Sequence, residues 1–398
     1  MSYRLRHPIL IAMVSAPLAL AAEPAVAAPK GAASKPEAAR PVDERARLER
    51  LTDLVAASYD TARGGFVDKG GMPSEGAVEL GLLLGRDAAG AAWKHRALAT
   101  LDWTRTLMDT MSGGFVTRRP KSAAEGAAFE TRTDVNGRRL SLLLAAWRAT
   151  GDERYRRDAG RVAGFMDRVL LDGRGGFVAA QVGDRVLVPA PNGVAIHAWL
   201  DWAAANVNPV LRDFALRSIE RVWETCFDPL GVLLRRGDFG EVLDWPRLAD
   251  QVEMGRALVL SWRLCGRQKD LDRARGLGRV LIEKFEDRAN GGFMTRARPK
   301  KDGTIRKAGR EAAENARAAL FLAELAAATG DRDFHEAGRR ALAAFDEAQR
   351  KDGLRAADWA LAQRALLEPE APEAPAWRAA AEQRATPRVI FRARGVRR

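Results

Sequence analysis

Two pairs of acidic residues stand near the starts of apolar segments, where paired carboxyl groups can do chemistry. Glu130 and Asp134 form one pair, and Asp250 and Glu253 form the other. Hydrolysis of a glycosidic bond needs one carboxyl group as acid and a second as base or nucleophile, about 5 to 9.5 Å away. Asp and Glu are also favoured in the first turn of any helix, where they cap it and interact with its dipole. Both interpretations stay open, and the catalytic one makes these four residues the candidates.

The loops and helix starts around these acids also hold groups that can bind a ligand. Trp245 lies in a loop before a helix start, so its ring is available for stacking on a sugar. No phosphate-binding glycine loop, dinucleotide fingerprint or His-Glu-x-x-His metal motif occurs in the sequence. We therefore expect no metal and no cofactor. Guanidinium, amide and carboxyl groups complete the candidate binding set: Arg132, Asn136, Arg310, Glu314 and Asn315.

A repeated Gly-Gly-Phe phrase reveals the elements that must position these residues. It falls between a charge-rich segment and an apolar one, at intervals of roughly 50–60 residues. Self-similarity at a fixed period indicates a repeated supersecondary unit. Six repeats are marked by complete copies at 64–66, 113–115, 175–177 and 291–293 and by degenerate copies at 229–232 and 351–354.

Each repeat predicts a helical hairpin. The segment before the phrase has one polar face and predicts an outer helix, whereas the segment after it is apolar nearly all round and predicts an inner helix packed on both sides. Six such hairpins close into a ring, and the N-termini of the inner helices then gather on the turn face around a central funnel. We predict outer helices at 43–59, 91–110, 152–170, 209–227, 269–285 and 332–349, and inner helices at 74–84, 133–150, 192–206, 247–265, 310–329 and 355–367.

Local sequence chemistry supports the hairpins. Gly151 and Gly330 are typical C-caps of inner helices, and the Asp residue after each is a typical N-cap of the next outer helix. The Gly pairs favour backbone with positive φ, and we expect the following Phe to fill the seam between hairpins. Alternating residues at 115–125 and 176–188 predict short β-ribbons on the turn face.

His197 lies within the third predicted inner helix. It is the histidine best placed to face the funnel, where an imidazole can transfer protons. A histidine with its hydrogen bonds satisfied in the core is the more common case in such a helix. We expect the core position here.

The first 27 residues are typical of a secretory signal peptide. Basic residues precede an apolar run at 8–22, and small-x-small cleavage signals end at Ala21 and Ala27. The run is shorter than the ~20 residues that a membrane span needs. We expect a periplasmic or secreted protein without stable membrane insertion, divided into a signal peptide at 1–27, a flexible leader at 28–42, the ring of hairpins at 43–368 and a basic extension at 369–398.

The chain is strongly basic, with a formal net charge of +13 over 398 residues. Basic proteins often bind nucleic acid, but an exported protein meets mainly saccharides, membrane surfaces and other envelope proteins. We therefore expect a saccharide or anionic ligand in the funnel, or an envelope protein partner, and no nucleic acid.

Three stretches carry a resemblance to known proteins. They are Gly64-Gly65-Phe66 with Met72-Pro73-Ser74, then Phe129-Glu130 with Asp134 and Asn136, and then Glu314-Asn315-Ala316 with Thr329-Gly330-Asp331. They are similar to repeats of the six-hairpin glycosidase-like (α/α)6 toroid superfamily, and most resemble the C-terminal helical region of the thioredoxin-fused spermatogenesis-associated protein family. The resemblance spans about 48–367. It implies an all-α fold of six helical hairpins with short β-ribbons in the loops.

The chain departs from that family in two respects. No thioredoxin domain precedes the hairpins, and Ala128 and Thr131 stand where the family has a His and a Lys. Together with the predicted signal peptide, the resemblance implies an exported carbohydrate-active protein, and the paired carboxylates in the funnel would make it a glycoside hydrolase. The alternative is a non-catalytic accessory protein that uses the ring as a binding scaffold. Hydrolysis predicts an open funnel, and the scaffold predicts a plugged one.

Overall fold

The computed structural model describes residues 43–117, 131–181, 186–236, 240–299, 305–306, 309–351 and 353–369. The predicted signal peptide and leader lie outside the described residues, as do Glu130 and residues 370–398 of the extension. Among the helices that are described, none is both long enough and apolar enough to cross a membrane.

Twelve helices of the described chain form two alternating sets, as the sequence predicts. The outer set is α1 Glu44–Ala57, α3 Ala91–Thr104, α5 Glu153–Phe165, α7 Pro209–Cys226, α9 Gln268–Val280 and α11 Arg332–Ala344. The inner set is α2 Glu75–Leu84, α4 Thr133–Thr150, α6 Pro189–Ala205, α8 Leu248–Cys265, α10 Ala312–Thr329 and α13 Ala356–Leu367. A short helix, α12, at Asp346–Gln349 follows α11. Single 3-10 turns stand at Arg105–Leu107 and Gly353–Arg355, and single π turns extend two outer helices at Met166–Leu170 and Leu281–Phe285.

The inner helices form a closed ring. Contacts run from α2 to α4, α6, α8, α10 and α13 in turn, and α13 packs back against α2. Each inner helix from α2 to α10 also packs on the outer helix that follows it, while α13 packs on α1. The core therefore lies between two concentric layers, and the chain closes its own circle.

The Phe of each complete Gly-Gly-Phe phrase is buried between the layers, which confirms the prediction that it fills a seam. An amide clamp holds three of the four. Phe293 N–H donates to Asn315 Oδ1 at 2.6 Å, and Asn315 Nδ2 donates back to the Phe293 carbonyl at 2.9 Å. The Asn136 side chain makes the same two hydrogen bonds to the Phe115 backbone, and Asn192 makes them to Phe177. Each clamping Asn is the fourth residue of its inner helix.

The helix caps agree with the sequence prediction, whereas the β-ribbons agree with it only in part. Gly151 and Gly330 have φ values of 69° and 70° at the ends of α4 and α10, and Asp152 and Asp331 cap α5 and α11. Within the described chain the loops at 115–117 and 176–181 form isolated bridges rather than strands. A two-residue pair, β1 Arg298–Pro299 and β2 Ile305–Arg306, stands instead in the loop before α10.

Glycine lets the inner helices approach closely near their N-terminal ends. A Cβ on Gly193 of α6 would lie 2.4 Å from the Glu253 carbonyl carbon of α8. A Cβ on Gly137 of α4 would lie 3.2 Å from the Val194 carbonyl oxygen of α6. The first distance is one that real Cβ atoms do not show, and the second would require the neighbouring helix to shift by a few tenths of an ångström. The ring is therefore tight at this level because these positions have no side chain.

Candidate functional site

A cavity of about 770 Å³ lies among the inner helices, and all six contribute to its wall. Its lining begins in the first turn of α2 and in the second turns of the other inner helices, and it runs to their C-terminal ends, where Arg86, Arg148 and Glu368 are exposed. Eight basic and six acidic side chains line it. The basic ones are Arg86, Lys94, Arg138, Arg148, Arg256, Arg263, Arg317 and Arg364, and the acidic ones are Glu75, Glu79, Asp201, Glu253, Glu324 and Glu368.

Glu253 is the centre of an ion cluster at one end of the cavity. Its Oε1 accepts from Arg138 Nη2 at 3.2 Å and from Arg317 Nε at 3.0 Å, and its Oε2 accepts from Arg317 Nη2 at 3.1 Å. Burial opposes ionisation of Glu253, but Arg317, Arg138 and Arg256 together lower its pKa well below its usual range. Glu253, Arg138 and Arg317 are each the sixth residue of their helices, so the inner helices run parallel and in register here.

Arg256 and Glu324 form a second ion pair deeper along the same wall. Arg256 Nε and Nη2 donate to the two carboxylate oxygens of Glu324 at 3.0 and 2.8 Å. Such a bidentate ion pair is strong, and it fixes the orientation of the guanidinium group. Arg256 lowers the pKa of Glu324, whose carboxylate therefore stays ionised.

His197 lines the cavity beside this pair, so the expected core position is wrong. Its side chain is half-buried, and its ring makes no hydrogen bond within the described part of the chain. Burial and then the charge of Arg256 lower the pKa of His197 from 6.5 to about 4. The imidazole is therefore neutral at neutral pH and can accept a proton.

Glu79 is the cavity carboxylate that has no cationic partner among the residues that the structure describes. It is half-buried on α2, across the ring from α8. Its charge contributes to the raised pKa of Arg256, which shows that the two side chains lie within electrostatic range. His197, Glu79 and Arg256 therefore bring a neutral base, a free carboxylate and a fixed cation to one cavity.

Of the three predicted catalytic acids that the structure describes, only Glu253 lines this cavity. Asp250 is buried away from it, where it accepts from Arg235 Nε at 2.8 Å and from the Ala190 backbone at 3.0 Å. Asp134 pairs with its neighbour Arg132 at 2.7 Å on the loop face. Glu130 lies outside the described residues. The structure therefore does not bring Asp134 and Asp250 together with Glu253 in the cavity.

The remaining predicted binding residues lie on the loop face. Asn136 and Asn315 hold the Gly-Gly-Phe turns, as described above. Arg310 Nη1 donates to the Gly291 carbonyl at 2.6 Å, and its guanidinium lies over the Phe345 ring. Glu314 has a raised pKa because it is buried. Trp245 is 40% exposed in its loop. None of these five residues lines the central cavity.

The cavity residues that sequence analysis missed do leave a signal in the sequence. Glu253, Arg256 and Arg263 recur along α8 at helical spacing, and Arg317 and Glu324 do so along α10. A helix that is packed on both sides should carry no charged stripe. Such a stripe therefore marks a third face, which borders a cavity inside the ring.

No sequence family model matches the chain, and neither does any curated protein sequence. Solved structures do match. A sugar epimerase from a ruminal bacterium is 14% identical, with a TM-score of 0.61 over 76% of this chain and 86% of that one. A glycoside hydrolase family 76 mannosidase from Bacteroides thetaiotaomicron is 13% identical, with a TM-score of 0.62 over 82% and 98%.

The closed ring of inner helices, together with these similarities along most of each chain, decides the architecture. The chain has the (α/α)6 toroid fold. An unsaturated glucuronyl hydrolase specific for heparin also aligns with the toroid, at 14% identity and a TM-score of 0.58 over 81% of this chain and 95% of that one. At identities this low the likeness establishes the fold, and the chemistry of the toroid must be argued from its own residues.

Proposed function

We propose that this protein is a carbohydrate-processing enzyme that binds a saccharide in the central cavity of the toroid. The volume of about 770 Å³ is within the usual range of small-molecule sites. The structures reported above are an epimerase, a mannosidase and a glucuronyl hydrolase, all named for action on sugars. The observation that carries the proposal is that His197, Glu79 and Arg256 all line that cavity.

The reaction that suits these groups best is proton transfer next to the carbonyl of a reducing sugar, as in isomerisation or epimerisation. His197 is neutral and can take up the proton. The enediolate that forms carries negative charge on oxygen, and a fixed guanidinium stabilises such charge. Arg256 is held by Glu324 in a defined direction, so its cation is already in place before the substrate arrives.

Glycoside hydrolysis is the second candidate, and the carboxylates of the cavity favour it. Glu253 stays ionised among its arginines and suits the role of base or electrostatic stabiliser. Glu79 is then the second carboxyl group that the reaction needs. The carboxylate pair proposed for hydrolysis is therefore Glu253 and Glu79, with Glu79 in place of Asp134 and Asp250.

The accessory-scaffold alternative predicted a plugged funnel with its acids engaged. Most acids of the cavity are engaged with arginines, but no side chain of the described residues fills the cavity itself, which favours an enzyme. Export to the periplasm or beyond remains part of the proposal and rests on residues 1–27 of the sequence. N-terminal sequencing of the protein recovered from its host would test it, and an intact Met1 would refute it.

A proton NMR assay tests the activity. The purified protein is incubated in D2O with reducing mono- and disaccharides, and the anomeric and C2 proton signals are followed. Epimerisation predicts new anomeric signals with solvent deuterium at C2, and isomerisation predicts loss of the aldose anomeric signal with solvent deuterium at C1 of the ketose, whereas hydrolysis predicts free monosaccharides without exchange. His197→Gln and Glu79→Gln should each lower either activity by at least about 100-fold, while His95→Gln on the outer layer should not. A panel without any conversion would refute the proposed enzyme.

A further inference from the structure

The cavity extends beyond the inner layer of helices at one place. Of the described residues that line it, only Lys94 belongs to an outer helix, where it is the fourth residue of α3. Gly85 and Arg86, which directly follow α2, line the cavity on the same side. The part of the cavity that Gly85, Arg86 and Lys94 line is called the side arm below.

The connection between α2 and α3 explains why the side arm lies there. This connection spans 85–90, whereas the other four connections from an inner to an outer helix in the described chain span two or three residues each. A Cβ on Gly85 would lie 2.5 Å from the Cβ of Lys94. Because residue 85 has no side chain, Lys94 can pass close to the end of α2 and reach the cavity.

The Lys94 side chain has an ordinary reason for its charge but not for the shape around it. It is half-buried, and its ammonium group makes no ion pair with any residue that the structure describes. A cation beside the C-terminal end of α2 interacts favourably with the dipole of that helix. The dipole concerns the charge only, whereas the extension of the cavity past α2 to the outer layer is a separate observation.

The side arm makes the cavity longer than a single sugar ring. Packed helices lie about 8–10 Å apart, so opposite axes in a ring of six are about 16–20 Å apart. α2 and α8 are opposite each other in this ring, and Lys94 belongs to the layer behind α2. A ligand that contacts both Arg256 of α8 and Lys94 must therefore be longer than a monosaccharide. The volume of about 770 Å³ likewise suits a ligand of drug size.

We propose that the side arm is a second sugar-binding subsite, and that the substrate is an oligosaccharide with its reacting unit beside His197 and Arg256 and a further unit against Lys94. An ammonium group donates up to three hydrogen bonds, which the hydroxyl groups of a neutral sugar can accept. Arg86 is exposed, so a longer chain can continue from the side arm into solvent. The inference rests on the proposed function, and it narrows the substrate class to saccharides of two or more units.

The dependence of activity on chain length tests the inference. The NMR panel is extended with β-1,4-linked chains of one to four units in the gluco, manno, galacto and xylo series, and kcat/KM is measured for each length. In the wild type, the best chain should exceed the shortest chain that is converted by at least about tenfold, because contacts with remote units contribute to transition-state binding.

Three variants separate the side arm from the rest of the cavity. Lys94→Trp fills the side arm and should bring the ratio of kcat/KM between the best and the shortest chain close to one. Lys94→Ala removes only the ammonium group and should lower this ratio by several-fold. Lys69→Trp, which places the same bulk on an exposed loop of the turn face, should keep the ratio of the wild type.

Each other result overturns the inference in a distinguishable way. Equal kcat/KM at all lengths, conversion of monosaccharides alone, or a ratio that survives in Lys94→Trp refutes the second subsite while the proposed enzyme stands. If Lys94→Trp does not unfold cooperatively in urea, an unchanged ratio in Lys94→Ala refutes the subsite instead. If no member of any series is converted, both the subsite and the proposed function fail.

Discussion

Glu253 shows how a single residue sets the character of the cavity. Its carboxylate balances Arg138 and Arg317 on two other helices at the same level of the ring. Removing one partner from a buried ion cluster leaves charge without compensation, which costs about 3–5 kcal/mol. We predict that Glu253→Gln lowers the free energy of unfolding in urea by roughly that amount. Glu49→Gln, an exposed acid on α1, is the control and should change it by less than about 0.5 kcal/mol. An equal effect of both changes would contradict the cluster.

His197 predicts a particular dependence of stability on pH. Its folded pKa of about 4 lies below the ordinary value of 6.5, so the unfolded chain takes up this proton first as the pH falls. The contribution of neutral His197 is therefore complete above about pH 6.5 and is lost as the pH falls towards 4. We predict that His197→Gln flattens the stability curve in this window, by up to about 1.4 kcal/mol per pH unit. His95→Gln should leave the curve unchanged, and a His197 pKa near 6.5 by NMR would contradict the prediction.

The structure brings the predicted site residues together only in part. The acids at the helix starts were selected as candidates because of their residue type. In the structure, however, Asp250 is buried in an ion pair with Arg235 outside the cavity. The side chains of Asn136 and Asn315 are engaged in hydrogen bonds to the Gly-Gly-Phe turns. Which face of a helix looks inward depends on how six hairpins pack together. Helical periodicity alone does not contain that information when nearly all faces are apolar.

At the scale of the helix, close packing near the N-terminal ends depends on glycine. We predict that Gly193→Ala destabilises the protein by about 1–3 kcal/mol, because its Cβ would collide with the backbone of α8 and an overpacked core strains. Gly276→Ala on the outer helix α9 is the matched control. Its Cβ would have nothing within 4 Å, so alanine should stabilise the helix by about 0.5–1 kcal/mol. Urea unfolding of both variants measures the change in the free energy of unfolding. A change in the same direction for both would contradict the tight packing of the inner helices.

The elements themselves were predictable from the sequence. α4 spans Thr133–Thr150 as predicted, because Gly151 stops the helix in the left-handed conformation and Asp152 starts the next one. The π turns at Met166–Leu170 and Leu281–Phe285 were not predictable, since their residues continue the apolar period of an α-helix. The amide clamps were missed because a lone Asn in a first turn also suits a ligand site.

At the scale of the whole molecule, the ring was predicted correctly, and the cavity inside it lies away from the turn face, where most of the predicted site residues stand. The repeat period and the apolar inner segments specify six hairpins. The expected site lay on the turn face, where the N-termini of the inner helices meet. The glycine-mediated approach of α4, α6 and α8 tightens that end, and the cavity lining extends to the opposite ends of the helices.

This geometry predicts that access to the cavity runs past the C-terminal ends of the inner helices. Ala327 lines the cavity in the last turns of α10. We predict that Ala327→Trp abolishes saccharide conversion in the NMR assay while the protein keeps its cooperative unfolding. Ala289→Trp, which places the same bulk on an exposed loop of the other face, should retain the activity of the wild type. Loss in the second variant and not in the first would mean that the substrate enters from the turn face.

The most direct test of the central claim is a crystal structure of the Glu79→Gln variant with the sugar that the wild type converts. The claim predicts sugar density inside the ring, in contact with His197 and Arg256 and bordered by α2, α8 and α10. Density on the turn face beside Asp134 or Trp245, with an empty cavity inside the ring, would contradict it.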